Sequence, residues 1–259
     1  MRKKNWIVIT SGLLLCLAVS GILVWNGMIP VLTVSGEWTD WKTARLLNKA
    51  SDVKEEETLR ELLLMDTELA ITITKDIEST DVLYVKGIKT LYGDAVIRRE
   101  VFGLFEEQAI FELEEGASLT VDGLTMDGRG MADAYMVHEG AGLTYLSGII
   151  QNVRYGIKTK GTVVVEDIVI QTTGSAAVNA LSGGKVTLNG GTYSNSGFYN
   201  LRINSGAEMV INEGVTAETS RIYNVYNQGT LQINGGIFTG ANKKDIYNEG
   251  ELKISDTDQ

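Results

Sequence analysis

The sequence predicts an all-β protein: a parallel β-helix whose coils of about 20–24 residues stack along one axis, preceded by a membrane segment and a short helical stretch. Three observations lead there. A short alternating strand motif recurs after residue 110, glycine and asparagine gather between its copies, and a charge-free apolar run occupies the N-terminus.

The apolar run, Ile7–Val24, lies between Trp6 and Trp25, as a span does between the two aromatic belts of a bilayer. Its length at about 1.5 Å per residue reaches roughly across a 30 Å hydrocarbon core. Arg2, Lys3 and Lys4 precede it, and Glu37 and Asp40 follow, which puts the N-terminus inside and the body outside. Residues 1–36 therefore read as a signal-anchor that meets the membrane through residues 6–25. Ala18-Val19-Ser20 before Gly21 offers a cleavage site, and the body is then secreted. Apolar sequence continuing to Leu32 favours the uncleaved anchor. Cys16 follows Leu15 rather than a small residue, so it does not read as a lipoprotein cysteine.

Residues 37–69 form the helical segment. Thr39 or Asp40 starts a short helix running to Lys49. Asp52 with Glu55 then resembles a capping box opening a second, amphipathic helix whose stripe is Leu59, Leu62, Leu63 and Leu69. From residue 70 the pattern turns to strands, with Ile71 and Ile73, then Leu83 and Val85, then Leu91, each run broken by Asp, Gly or Lys-Gly turns.

The repeat itself fills residues 70–259. Leu119-Thr-Val121-Asp122 returns as Val163-Val-Val165-Glu166, Val186-Thr-Leu188-Asn189, Met209-Val-Ile211-Asn212, Leu231-Gln-Ile233-Asn234 and Leu252-Lys-Ile254-Ser255, with a weaker copy at Leu143-Thr-Tyr145-Leu146. The units end at 122, 146, 166, 189, 212, 234 and 255, in steps of 24, 20, 23, 23, 22 and 21. Leucine-rich repeats share this length but need a fixed frame that is absent, and propeller blades are about twice as long. Three short strands joined by tight turns fit. Coils then stack about 4.8 Å apart in parallel register. Val121, Val165, Leu188, Ile211, Ile233 and Ile254 should form one inward column, and Asn189, Asn212 and Asn234 should stack at one corner with amides bonded along the axis. Of the 29 Gly, 22 follow residue 110, and 12 of the 15 Asn follow residue 150, so both mark corners.

Composition narrows the function classes. A single Cys excludes an intramolecular disulfide framework, and His138 as the one histidine excludes a multi-His metal site. Beyond Lys4 the chain holds 20 basic against 33 acidic residues, a balance of −13, which argues against nucleic acid as a partner. No phosphate-binding loop, dinucleotide fingerprint, EF-hand or nucleophile elbow is present.

The stretches Val225-Tyr-Asn-Gln-Gly-Thr-Leu-Gln-Ile-Asn-Gly-Gly-Ile-Phe238, Ile246-Tyr-Asn-Glu-Gly-Glu-Leu-Lys-Ile254 and Val186-Thr-Leu-Asn-Gly-Gly-Thr-Tyr193 resemble repeats of bacterial surface β-helix proteins. Those belong to the pectin-lyase-like superfamily and include polymorphic-outer-membrane-protein-type adhesins. The likeness covers about residues 55–259 and implies a right-handed coil, an N-terminal helix over the first coil, and a bacterial cell-surface location. It also implies two function classes, a non-catalytic adhesin or carbohydrate- and partner-binding module, and a Ca²⁺-dependent polysaccharide lyase.

Under the lyase alternative, Asp122, Asp127 and Asp133 are the candidate Ca²⁺ ligands, and Asp127 and Arg129 the catalytic candidates. Asp-Gly steps are equally how coil corners are built. The resemblance carries no Asn-Thr-Asp, Asp-Asp or Gly-His-Gly glycosidase signature, and Arg202-Ile-Asn204 falls short of the fourth. The adhesin alternative needs no cofactor. Tyr226 and Tyr247, placed outward by alternation, are its ligand-binding candidates for a glycan or protein. Tyr193 and Phe238, two coils apart in one register, read as a core stack, and His138 as a residue satisfied within its coil. No helix or polar cap follows the last strand, so a further domain, a continuing chain or end-to-end association is expected at that coil.

Overall fold

A computed structural model describes residues 41–99 and 108–255, with four two-residue strands before them. The chain divides into units 1–50 and 51–259. In the first, Ile7–Val8 pairs antiparallel with Gly21–Ile22, Val31–Leu32 pairs with Trp38–Thr39, and helix α1 spans Trp41–Leu47. Among the described residues no helix is long and apolar enough to cross a membrane. The expected span at 6–25 lies, apart from the first of those pairings, outside the described residues.

The second unit opens on helix α2, Glu56–Leu63, which buries Thr58, Leu59, Leu62 and Leu63. Two details differ from expectation. The N-cap is Glu55, with no side-chain cap bond, because the Asp52 carboxylate is taken by Thr74 Oγ1 at 2.6 Å and Lys54 Nζ at 2.7 Å. Leu69 belongs to no helical stripe. The helix ends on Leu64, and Leu69–Thr72 is already the first strand. The helix is tied to its neighbours by polar contacts as well. Arg60 Nη1 donates to Val82 O at 2.6 Å, and Glu56 Oε1 accepts from Thr80 N at 3.1 Å. Those bonds, with that from Arg60, outweigh partial burial and hold the Glu56 carboxyl below its ordinary value.

From residue 69 the chain winds into a parallel β-solenoid of about eight turns, each turn contributing one strand to each of three faces. On face 1, Leu69–Thr72 pairs with Ile88–Tyr92, and the ladder runs on, coil by coil, to Glu251–Ile254. Face 2 runs from Ile77–Ser79 to Ile237–Thr239, and face 3 from Leu83–Val85 to Lys244–Asn248.

The inward columns are the core. On face 1 the register joins Ile71, Leu91, Val121, Tyr145, Val165, Leu188, Ile211, Ile233 and Ile254, so the expected column is present with Tyr145 filling its gap. On face 2, Ala217 separates Tyr193 from Phe238 in one column. A small residue between two rings leaves each its volume. Tyr193 is fully buried, and its hydroxyl is satisfied by Gly190 O at 3.1 Å. Tyr193 is thus a core residue, while Phe238, nearer the open end of the same column, is half-buried. Each fully buried aliphatic in such a column contributes about 1.5–3 kcal/mol. At the last described rung the column opens, with Ile254 62% and Ile237 60% exposed.

One core position is a lysine. Lys89 pairs in register with Leu119 and is fully buried. Its Nζ donates to Met65 O and Thr67 O, each at 2.7 Å, and to Lys86 O. Three donors meet three carbonyls, which is what burying an ammonium requires. Desolvation still pushes its pKa down.

Each corner solves a different backbone problem. Between faces 1 and 2, a Cβ on Gly123 would lie 2.4 Å from Gly93 O, so only glycine fits there. Between faces 3 and 1, four-residue turns close with Ala117 N donating to Glu114 O, Ala141 N to His138 O and Ala207 N to Asn204 O. Between faces 2 and 3 the left-handed residue is not glycine in four successive coils, although Gly130 and Gly240 hold positive φ at this corner in the coils on either side. Asn152, Thr172, Asn195 and Thr219 hold φ of 51°, 56°, 56° and 56° in successive coils. Glycine thus recurs at all three corners, and Asn and Thr replace it at the third in the middle coils.

Candidate functional site

The acidic stretch after face 1 is dispersed by the winding of the chain. Asp122 stands at the corner between faces 1 and 2, where its Oδ1 accepts from Ser147 Oγ at 2.6 Å. Asp127 ends a face 2 strand, and its Oδ1 accepts from Arg129 N at 3.0 Å and Asn152 Nδ2 at 3.4 Å. Asp133 opens a face 3 strand and is 2% exposed. Arg154 grips it through Nε and Nη2, both at 2.9 Å, and Lys158 Nζ lies 3.6 Å away. Five residues of coil separate the second and third carboxylates, enough to carry them to different faces. Among the described residues no group of three or more His, Cys, Asp or Glu could hold a metal ion. The three aspartates therefore do not fit a shared Ca²⁺ site.

Asp127 and Arg129 do share an open groove of about 520 Å³ at the corner between faces 2 and 3, with Asn152, Val153, Thr172 and Thr173. Both are engaged. The carboxylate closes its own turn, and Arg129 Nη2 reaches Glu78 Oε1 at 2.7 Å, two coils back on face 2. A guanidinium held in an ion pair is poorly set to take a proton. His138 sits at the next corner, 3.4 Å from Glu112 Oε2 and within its turn, as a coil-satisfied residue would.

The asparagine columns are ladders. Asn212 Nδ2 donates to Asn189 Oδ1 at 2.7 Å, Asn234 Nδ2 to Asn212 Oδ1 at 2.8 Å, and Ser255 Oγ to Asn234 Oδ1 at 2.7 Å. A second ladder, fully buried at Asn200 and Asn224, has no counterpart among the expected corners. Asn200 Nδ2 donates to Asn224 Oδ1 at 2.8 Å, and Asn224 Nδ2 to Asp245 Oδ1 at 2.7 Å. Its trace in the sequence is the pair Tyr-Asn at 199–200 and again at 223–224.

That second ladder holds the outer side of face 3 in register, and there the tyrosines gather. Tyr226 and Tyr247 are adjacent partners on the ladder, as are Tyr199 and Tyr223. All four are half-buried. Tyr223 stacks on Tyr247 at 4.7 Å between centroids, Tyr199 on Tyr223 at 6.0 Å, and Tyr226 lies 5.8 Å from Tyr247. Ring stacking of this kind adds about 0.5–1.5 kcal/mol per pair beyond burial. Arg202 lies over Tyr199 at 5.6 Å and Lys244 over Tyr247 at 5.6 Å. The tyrosines thus form a continuous patch bounded by cations, and sequence reasoning had placed only Tyr226 and Tyr247 in it.

One carboxylate organises the patch. Glu249 accepts from Tyr226 Oη at 2.8 Å, Tyr247 Oη at 3.1 Å and Gln228 Nε2 at 3.1 Å. These bonds, Tyr226 first, hold the Glu249 carboxyl below its ordinary value. Partial desolvation and the Glu249 bond push the Tyr226 hydroxyl up to about 12, and the same carboxylate raises Tyr247. Glu249 therefore stays charged, and the Tyr226 and Tyr247 phenols neutral, over a wide pH range. The patch presents ring edges, fixed hydrogen-bonding groups and flanking charge on one face. No family model, no curated protein and no solved structure matches the chain.

Proposed function

We propose that this chain is a membrane-tethered bacterial surface protein, its N-terminus inside and its solenoid outside, acting as a non-catalytic adhesin-type module. It binds a carbohydrate or a protein partner through the outer side of face 3. The observation that carries the reading is the patch of Tyr199, Tyr223, Tyr226 and Tyr247 on one rigid face. Aromatic side chains presented by a fixed scaffold suit recognition, because little rotamer freedom is lost on contact. The apolar segment at 6–25 and the repeat's likeness to pectin-lyase-like surface proteins support the location, with a right-handed winding and α2 over the first coil as the finer features.

The lyase reading has less support, since Asp122, Asp127 and Asp133 occupy separate places and Arg129 is paired. A glycan array probed with the 259-residue chain and with its Tyr226→Ala/Tyr247→Ala form tests the proposal. Binding lost in the double variant is expected. Release of unsaturated uronate from acidic polysaccharide with Ca²⁺, abolished by Arg129→Ala, would instead make the chain an enzyme.

A further inference from the structure

The chain is acidic overall, yet its tyrosine patch is bordered by positive charge. After residue 170 the basic residues are Lys185, Arg202, Arg221, Lys243, Lys244 and Lys253. Arg202 and Lys244 lie on face 3, in successive register with the tyrosines. Arg221 and Lys243 stand at the corner leading into it, where Arg221 N bonds Ser196 O and Lys243 N bonds Ile222 O. Lys185 and Lys253 lie on face 1 and each faces a glutamate there, Glu208 at 3.9 Å and Glu251 at 3.1 Å. Among the described residues, none of the four cations on the face 3 side has a carboxylate within salt-bridge distance.

The nearby acids are already used. Asp245 accepts from Asn224 Nδ2 at 2.7 Å and from Ala241 N at 3.0 Å, and Glu249 accepts from two phenols and Gln228. The Arg202 Nε is buried with no hydrogen-bond partner. Arg202, Arg221 and Lys243 with Lys244 stand on three successive coils, spaced about 4.8 Å along the axis. Arg202 is in register with Tyr226 and Lys244 with Tyr223, so the cations flank the tyrosines from both ends of the strands. On a protein of net charge −10, such a cluster is held against the average field.

We infer that the face 3 patch takes an anionic glycan, a linear sugar or polyol polymer carrying carboxylate, sulfate or phosphate groups, laid along the solenoid axis. This rests on the binding reading given above and names its ligand class. One feature favours a polymer of rings and charges over an acidic polypeptide: the cations alternate with aromatic rings, Arg202 lying over Tyr199 and Lys244 over Tyr247. The last described face 3 strand, Lys244–Asn248, is paired on one side only, so an acidic peptide is the competitor that the titration must exclude. Stacking uses the ring faces within the patch, so the charge should supply much of the affinity and the tyrosine edges the fit.

Titration of the 259-residue chain with a polyol phosphate, a polyuronate, a sulfated glycan, neutral dextran and poly-glutamate distinguishes the sources. At least one anionic glycan should bind, at least tenfold tighter than dextran or poly-glutamate, and weaken steeply with added NaCl. The Arg221→Gln/Lys243→Gln/Lys244→Gln variant should lose at least tenfold in affinity, while Lys185→Gln/Lys253→Gln should bind as the parent does, thermal melts confirming that both fold. Dextran bound as tightly as every anionic glycan, in a Tyr226- and Tyr247-dependent way, overturns this inference and leaves the binding reading standing. Poly-glutamate bound best, or equal losses in the two variants, also overturns it. No binding of any glycan or peptide defeats both.

Discussion

Asn212 donates its side-chain amide to Asn189 Oδ1 at 2.7 Å across 23 residues of sequence, and Asn234 in turn donates to Asn212 at 2.8 Å. One residue type at one corner therefore links three coils. The buried counterpart, Asn224, makes more bonds: to Thr239 O and Asp245 Oδ1, and from Asn200 and Ser220 N.

The two ladders should differ in cost. Asn212→Leu removes half-exposed bonds whose partners can turn to water, and should destabilise by about 1–2 kcal/mol. Asn224→Leu strands buried donors and acceptors that water cannot reach, and should cost about 3 kcal/mol or more. Urea denaturation of both variants gives the comparison, and equal midpoints would sink the distinction.

Thr172 holds φ of 56° between Asn152 and Asn195, which hold the same corner in the coils on either side. A β-branched residue is strained in the left-handed region, and asparagine tolerates it. Thr172→Asn should therefore raise stability by about 0.5–1 kcal/mol, read as a higher denaturation midpoint. A lower midpoint would show that the Thr172 methyl contributes packing that outweighs the strain.

The tyrosine patch should respond to pH at both ends. Glu249 titrates below its ordinary value in the folded chain, so its stabilisation is present above the unfolded value and is lost as pH falls through the lower folded one. Tyr226 ionises at about 12 against an ordinary 10, so its share holds below 10 and is lost as pH rises through about 12. Phenolate absorbance should show a late-titrating tyrosine in the parent that moves down toward 10 in Glu249→Gln. An unmoved titration would mean that desolvation alone sets the value.

Lys89→Met keeps the length of the side chain but leaves the carbonyls of Met65, Thr67 and Lys86 without their donor. A loss of about 2–4 kcal/mol is expected, with faster proteolysis of the α2-to-strand connection at 64–68. A variant as stable as the parent would falsify the role of the ammonium, showing that an apolar side chain serves the column equally well.

Much of the fold is legible from spacing. Val121, Val165, Leu188, Ile211, Ile233 and Ile254 stand in one column because alternation and a near-constant period leave their side chains no other common direction. Lys89 escaped that reasoning because its charge is satisfied only by carbonyls from a different segment. The Asp52–Glu55 capping box failed for a related reason. The carboxylate found a better partner in Thr74, 22 residues on.

By itself, the sequence determined the stacking of coils, the inward columns, and the Asn189–Asn212–Asn234 corner, since each follows from period and residue type repeated along one chain. Only the tertiary structure decided which carboxylates meet. Asp122, Asp127 and Asp133 are close in sequence and parted by the corners between faces. Tyr199, Tyr223, Tyr226 and Tyr247, spread over nearly fifty residues, are brought onto one patch with Arg202 and Lys244. The physical reason is that corner lengths vary from coil to coil. A strand's inner side is fixed by the need to bury apolar surface, whereas the composition of an outer face depends on how each corner feeds the next strand into register.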